Sequence, residues 1–143
     1  MNSLPKRLGL LLALYIAQGL PTGVFTQALP AILRTYDAPL SVISLSGLLA
    51  LPWALKVLWA PWVDRHYWPR MGYRRSWILP MNIGLIVLLA VLSQLDPNAL
   101  REESGVLTLF FLLFLINLFA ATQDIATDGL AVGILGPHER GIG

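Results

Sequence analysis

The chain has 143 residues, of which 56% are hydrophobic and 13% charged, with a formal net charge of +2. An ordinary soluble domain carries roughly 25% charged residues, so most of this chain faces something other than water and a soluble globule is excluded. With no cysteine and only His66 and His138, disulfides, thiolate metal sites, cysteine nucleophiles and a histidine-rich metal cluster are excluded as well.

The apolar residues gather into long stretches almost free of charge. They predict an all-α membrane protein with four transmembrane helices at about 8–33, 40–63, 76–95 and 106–135, each long enough for the ~17–25 residues that a span needs. The first stretch is too long for the apolar part of a cleaved signal peptide and reads as a retained helix. It is interrupted by Gln18, Gly19, Leu20 and Pro21, where proline removes a backbone donor and its ring crowds the carbonyl of Ala17. A short turn with Asp37 and Pro39 leads to the second span, which carries Pro52, Lys56 and Pro61. A loop dense in charge and aromatics, Asp64 to Arg75, precedes the plain third span. A polar loop from Asp96 to Gly105 leads to the fourth, which ends between Gln123 and Leu135.

The basic residues set the orientation. Lys6 and Arg7 precede the first span, Arg65, Arg70, Arg74 and Arg75 lie between the second and third, and Arg140 follows the fourth. The other two connections hold Arg34 and Arg101. The positive-inside rule then places both termini and the second-to-third loop in the cytoplasm. The excess of positive charge is thus explained by topology, and no nucleic-acid partner is expected.

Lys56 is the clearest anomaly, since a charge at the centre of a span costs about 2.5–3.5 kcal/mol on insertion scales. Counted from Leu40 it lies about 24 Å down its helix, and Asp124, counted from Val106, about 27 Å down a helix running the same way. The two charges sit at nearly one depth and are expected to approach each other, because an unpaired charge there is costly. The alternative is that Lys56 snorkels to the headgroups. Asp128, one turn beyond Asp124, either joins it in exchanging protons or marks the helix end and pairs with loop arginines. Gln18 lies about 15 Å into the first span, beside the Gly–Pro interruption. Such freed backbone groups recur at transporter binding sites, although a hydrogen bond between helices accounts for Gln18 equally well. Trp62, Trp68 and Trp77 fit an interfacial belt. The deeper Trp53 and Trp59 either pack or stack on a sugar ring. Nothing supplies a nucleophile with a base, so no enzyme activity and no cofactor is expected.

Several stretches resemble a known family. Asp64-Arg65 followed by Gly72-Tyr73-Arg74-Arg75 resembles the loop between the second and third helices of the major facilitator superfamily. More specifically, LPWALKVLWAPWVDR (51–65), ATQDIATDG (121–129) and YIAQGLPTGVFTQALP (15–30) resemble the AmpG-type muropeptide permeases and the related acetyl-CoA transporter branch. The resemblance implies part of the N-terminal six-helix bundle of an inner-membrane carrier, with the remaining helices of the same transporter as its partners. It also implies alternating access, coupling to protons and import of anhydro-muropeptides or a related sugar-containing solute for peptidoglycan recycling. In that frame Lys56, Asp124, Asp128 and Gln18 serve substrate and proton coupling, and Asp64, Arg65, Arg74 and Arg75 form a cytoplasmic gate. The alternatives are a carrier of another solute, acyl-CoA-like or a drug, and a four-helix membrane scaffold or truncated fragment that transports nothing.

Overall fold

The computed structural model describes residues 4–23, 27–35, 42, 44 and 46–134, with the backbone alone described at residues 4, 18 and 20–22. Among the described residues every regular element is helical. They are α1 (Leu4–Gly23), α2 (Leu29–Thr35), a 3-10 turn Ser46–Ala50 continuous with α3 (Leu51–Arg65), α4 (Arg75–Leu92), a 3-10 turn Pro97–Arg101 and α5 (Glu103–Ile134).

Among the described residues three segments are long and apolar enough to cross a membrane: Ser46–Arg65, Arg75–Leu92 and Glu103–Ile134. The expected first span is divided differently from the sequence reading. The helix does not stop at Gln18–Pro21 but runs on to Gly23, and a second, short helix begins at Leu29. A proline inside a membrane helix is tolerated where the surroundings satisfy the backbone groups it frees, and the regular backbone of α1 persists through Pro21. Lys6 and Arg7 lie within its first turn.

The central element is α5. Half of its apolar window is buried, against 17% for the segments containing α3 and α4, and it packs on α4, α3 and α1. The cause is visible in its side chains. Ala120, Ala121 and Ala126 are fully buried, and small residues let neighbouring backbones approach closely where no hydrophobic effect drives helices together. On the side facing α4, Gly84 is in contact with the Phe119 ring, which occupies the space a side chain there would need.

The apolar core lies toward the end of the bundle where α5 begins. Leu29 and Leu33 of α2, Leu49 before α3, Leu85 of α4 and Leu109, Leu113 and Ile116 of α5 form one cluster. There the Asp96 side chain accepts a hydrogen bond from the Asn98 backbone N–H at 2.9 Å, capping the 3-10 turn. Beyond Ile116 the character of α5 changes. Asn117, Thr122, Gln123, Asp124 and Thr127 are all buried, so the half of the bundle that carries the α3–α4 loop has a polar interior.

Candidate functional site

A buried polar face needs partners, and α3 supplies several. The Trp53 indole N–H donates to Asn117 Oδ1 at 3.1 Å and the Trp59 indole N–H to Thr122 Oγ1 at 3.2 Å. Both acceptors are themselves held to their own helix, Asn117 donating to the Leu113 carbonyl and Thr122 to the Leu118 carbonyl. The two tryptophans therefore join α3 to α5 above and below Lys56, and both have their indole N–H turned to α5.

Between them Lys56 Nζ donates to Asp124 Oδ2. The ammonium also lies 5.4 Å from the Trp53 ring centroid, within the range of a cation–π contact. The Asp124 side chain is 8% exposed and that of Lys56 31%, so the pair is buried on the acid side and open on the lysine side. It opens on a groove of about 450 Å³ between α3 and α5, lined in part by Lys56, Asp64, Arg74, Asp128 and Gly129. Small-molecule sites occupy about 300–1,000 Å³.

Asp128, exposed at the edge of this groove, accepts a hydrogen bond from the Tyr15 hydroxyl of α1 at 2.7 Å. Arg7 of α1 donates to the Ile134 carbonyl at 2.9 Å, so α1 is tied twice to the last turns of α5. The side chain of Gln18 lies outside the described residues, as do His138 and Arg140.

At the loop end Arg74 donates to Asp64 Oδ1 at 2.6 Å, and its guanidinium lies 4.2 Å over the Tyr73 ring. The Tyr73 hydroxyl donates to the Asp64 carbonyl. On its other side the Arg74 guanidinium fills the space next to Gly129, where any side chain would meet it. The pair thus bridges the end of α3, the start of α4 and the last turns of α5. Arg65 and Arg75 are exposed and form no ion pair among the described residues.

Four groups in this region escape a reading based on charge alone. Tyr15 and Asn117 are partners of the site, and Asn117 stands seven residues before Asp124, a spacing that places both on one helix face. Gln123 and Thr127 are fully buried, and neither the Gln123 amide nor the Thr127 hydroxyl has a hydrogen-bond partner among the described residues. They lie one turn apart on α5.

Residues 7–142 match the family model described as acetyl-coenzyme A transporter 1. An anhydromuropeptide permease of Escherichia coli K12 is 31% identical over 137 residues, covering 96% of this chain and 27% of that protein. An uncharacterized protein of Haemophilus influenzae is 38% identical over 125 residues, covering 87% of this chain and 28% of its own length. An uncharacterized membrane protein of Saccharomyces cerevisiae is 35% identical, with 88% and 26% covered. The chain therefore spans about a quarter of the length of these relatives. No solved structure matches it.

Proposed function

The chain belongs to the acetyl-coenzyme A transporter 1 family of membrane transporters, and from that premise we propose that it forms part of the N-terminal helix bundle of a major-facilitator carrier in the inner membrane. The carrier imports an anhydro-muropeptide or a related sugar-containing solute together with protons, by alternating access. The observation that carries this reading is the Lys56–Asp124 pair open to the groove between α3 and α5. A charge at membrane depth is expensive and marks substrate or proton paths, and this one is neither buried whole nor turned out to the loop end.

The paired groups of the site then have distinct roles. Lys56 and Asp124 exchange between each other and the solute or proton, with Asp128 and Tyr15 at the groove's mouth. Asp64 and Arg74 hold the loop end of the bundle in one state, since interface charge pairs form in one conformation and break in another. Gln123 and Thr127, unpartnered here, find partners in the other state, because buried polar groups left unpaired cost free energy.

The solute assignment draws on the permease of E. coli. A second reading, an acyl-coenzyme A solute, draws on the family model's description. Proteoliposomes holding the complete polypeptide that carries this segment separate the two: labelled anhydro-muropeptide and labelled acetyl-coenzyme A are offered in turn. Accumulation of the first and not the second supports the proposal, the reverse supports the second reading, and accumulation of neither removes both.

A further inference from the structure

A second cavity lies apart from the groove beside Lys56. It lies at the loop end, has a volume of about 720 Å³, and is lined by Arg65, His66, Trp68, Trp77, Pro80 and Met81 among others. Its shape is held by the loop itself. The Trp77 indole N–H donates to the His66 carbonyl at 2.6 Å, and the Trp68 backbone N–H donates to Ser76 Oγ at 3.0 Å. Ser76 in turn donates to the Gly72 carbonyl at 2.7 Å, and Trp62 meets Trp77 edge to face at 5.2 Å. The first bond engages the polar edge of Trp77, and the others fix the loop backbone that carries Trp68.

The charge at the cavity is one-sided. The neighbouring acid, Asp64, is engaged by Arg74. Arg65, in the lining, is exposed and without an ion pair among the described residues. Further along α4, Leu79, Ile83, Ile86 and Val87 are exposed, an apolar strip on a neighbouring face of the helix. A cation in an aromatic-lined pocket, on a helix that also presents an apolar strip, complements a molecule with a phosphate at one end and a hydrocarbon chain at the other. Tryptophan sits at headgroup level, and basic pockets at helix ends take anionic headgroups.

We propose that this cavity binds one anionic phospholipid, with its phosphate on Arg65, its glycerol region between Trp68 and Trp77, and an acyl chain along α4. The site stands apart from the groove beside Lys56 and does not depend on what the carrier moves.

The test uses the complete polypeptide, purified in a mild non-ionic detergent, with bound lipid counted by native mass spectrometry. Dioleoylphosphatidylglycerol, dioleoylphosphatidylcholine and glycerol 3-phosphate are titrated separately. The expected result is one tightly held phosphatidylglycerol, weaker phosphatidylcholine and no competition from glycerol 3-phosphate. Arg65→Gln weakens phosphatidylglycerol by about fivefold, the effect of one basic residue near an anionic leaflet. Arg65→Lys keeps most of the affinity, and Arg101→Gln, in the other loop, changes nothing. Equal binding of the two lipids, an unchanged Arg65→Gln variant, or displacement by glycerol 3-phosphate overturns the proposal, the last by showing a site for free phosphate.

Discussion

Lys56 Nζ donates to Asp124 Oδ2 across the seam between α3 and α5, with the lysine side chain 31% exposed and the aspartate 8%. Removing one member of a buried pair costs about 3–5 kcal/mol, because the other charge is left uncompensated. The exposure of Lys56 puts this pair at the lower end of that range. Lys56→Ala and Asp124→Ala should each lower the melting temperature of the detergent-solubilised protein, and the double substitution should cost less than the sum. A double-mutant cycle checks it, with a coupling of about 1–3 kcal/mol expected; additive losses would mean that the contact contributes nothing to stability.

Gln123 separates function from stability. Its amide is fully buried and unpartnered, and replacing such a group with an apolar one of similar shape is close to neutral or stabilising. Gln123→Met should keep or raise the melting temperature while lowering transport. A fall in stability of more than about 1 kcal/mol would show that the amide has a partner in the folded state.

Gly129 leaves the space that the Arg74 guanidinium occupies. Gly129→Ala should push that flexible side chain away from Asp64 without unfolding the bundle. Transport should then fall to the level of Arg74→Gln, and the combined substitution should fall no further. Uptake assays on the three variants check this, and a combined loss equal to the product of the single losses would contradict it.

Gly84 contacts Phe119 inside the α4–α5 packing. Overfilling a packed interior costs about 1–3 kcal/mol, so Gly84→Ala should destabilise the protein by that amount in thermal melts. Gly84→Ala combined with Phe119→Leu should recover part of it. An unchanged melting temperature for Gly84→Ala would show that the two helices separate easily.

Much of this arrangement is legible before any coordinates. Two helices that run the same way with the same rise place Lys56 and Asp124 at one level, so their pairing is one of two readings, the other being snorkelling of Lys56, and the structure shows the pair. Which helix faces which does not follow. The indole bonds from Trp53 to Asn117 and from Trp59 to Thr122 depend on the rotation of α3 about its axis, which packing sets. The same holds at the loop end. Arg65, Arg74 and Arg75 are equivalent as charges, and the path from Trp68 to Ser76, closed by its own hydrogen bonds, brings Arg74 to Asp64. The division of the first apolar stretch was hidden for another reason. Pro21 has the residue type of a breaker, yet α1 continues through it to Gly23, as membrane helices tolerate proline where the freed backbone groups are satisfied.

The central claim is that the Lys56–Asp124 pair works in proton-coupled uptake. Its most direct test is uptake of labelled anhydro-muropeptide into vesicles bearing the complete polypeptide, with and without an imposed proton gradient, for wild type and Lys56→Ala. The account predicts gradient-dependent uptake by the wild type and its loss in a variant that still inserts and folds. Full uptake by Lys56→Ala, or wild-type uptake indifferent to the gradient, would contradict it.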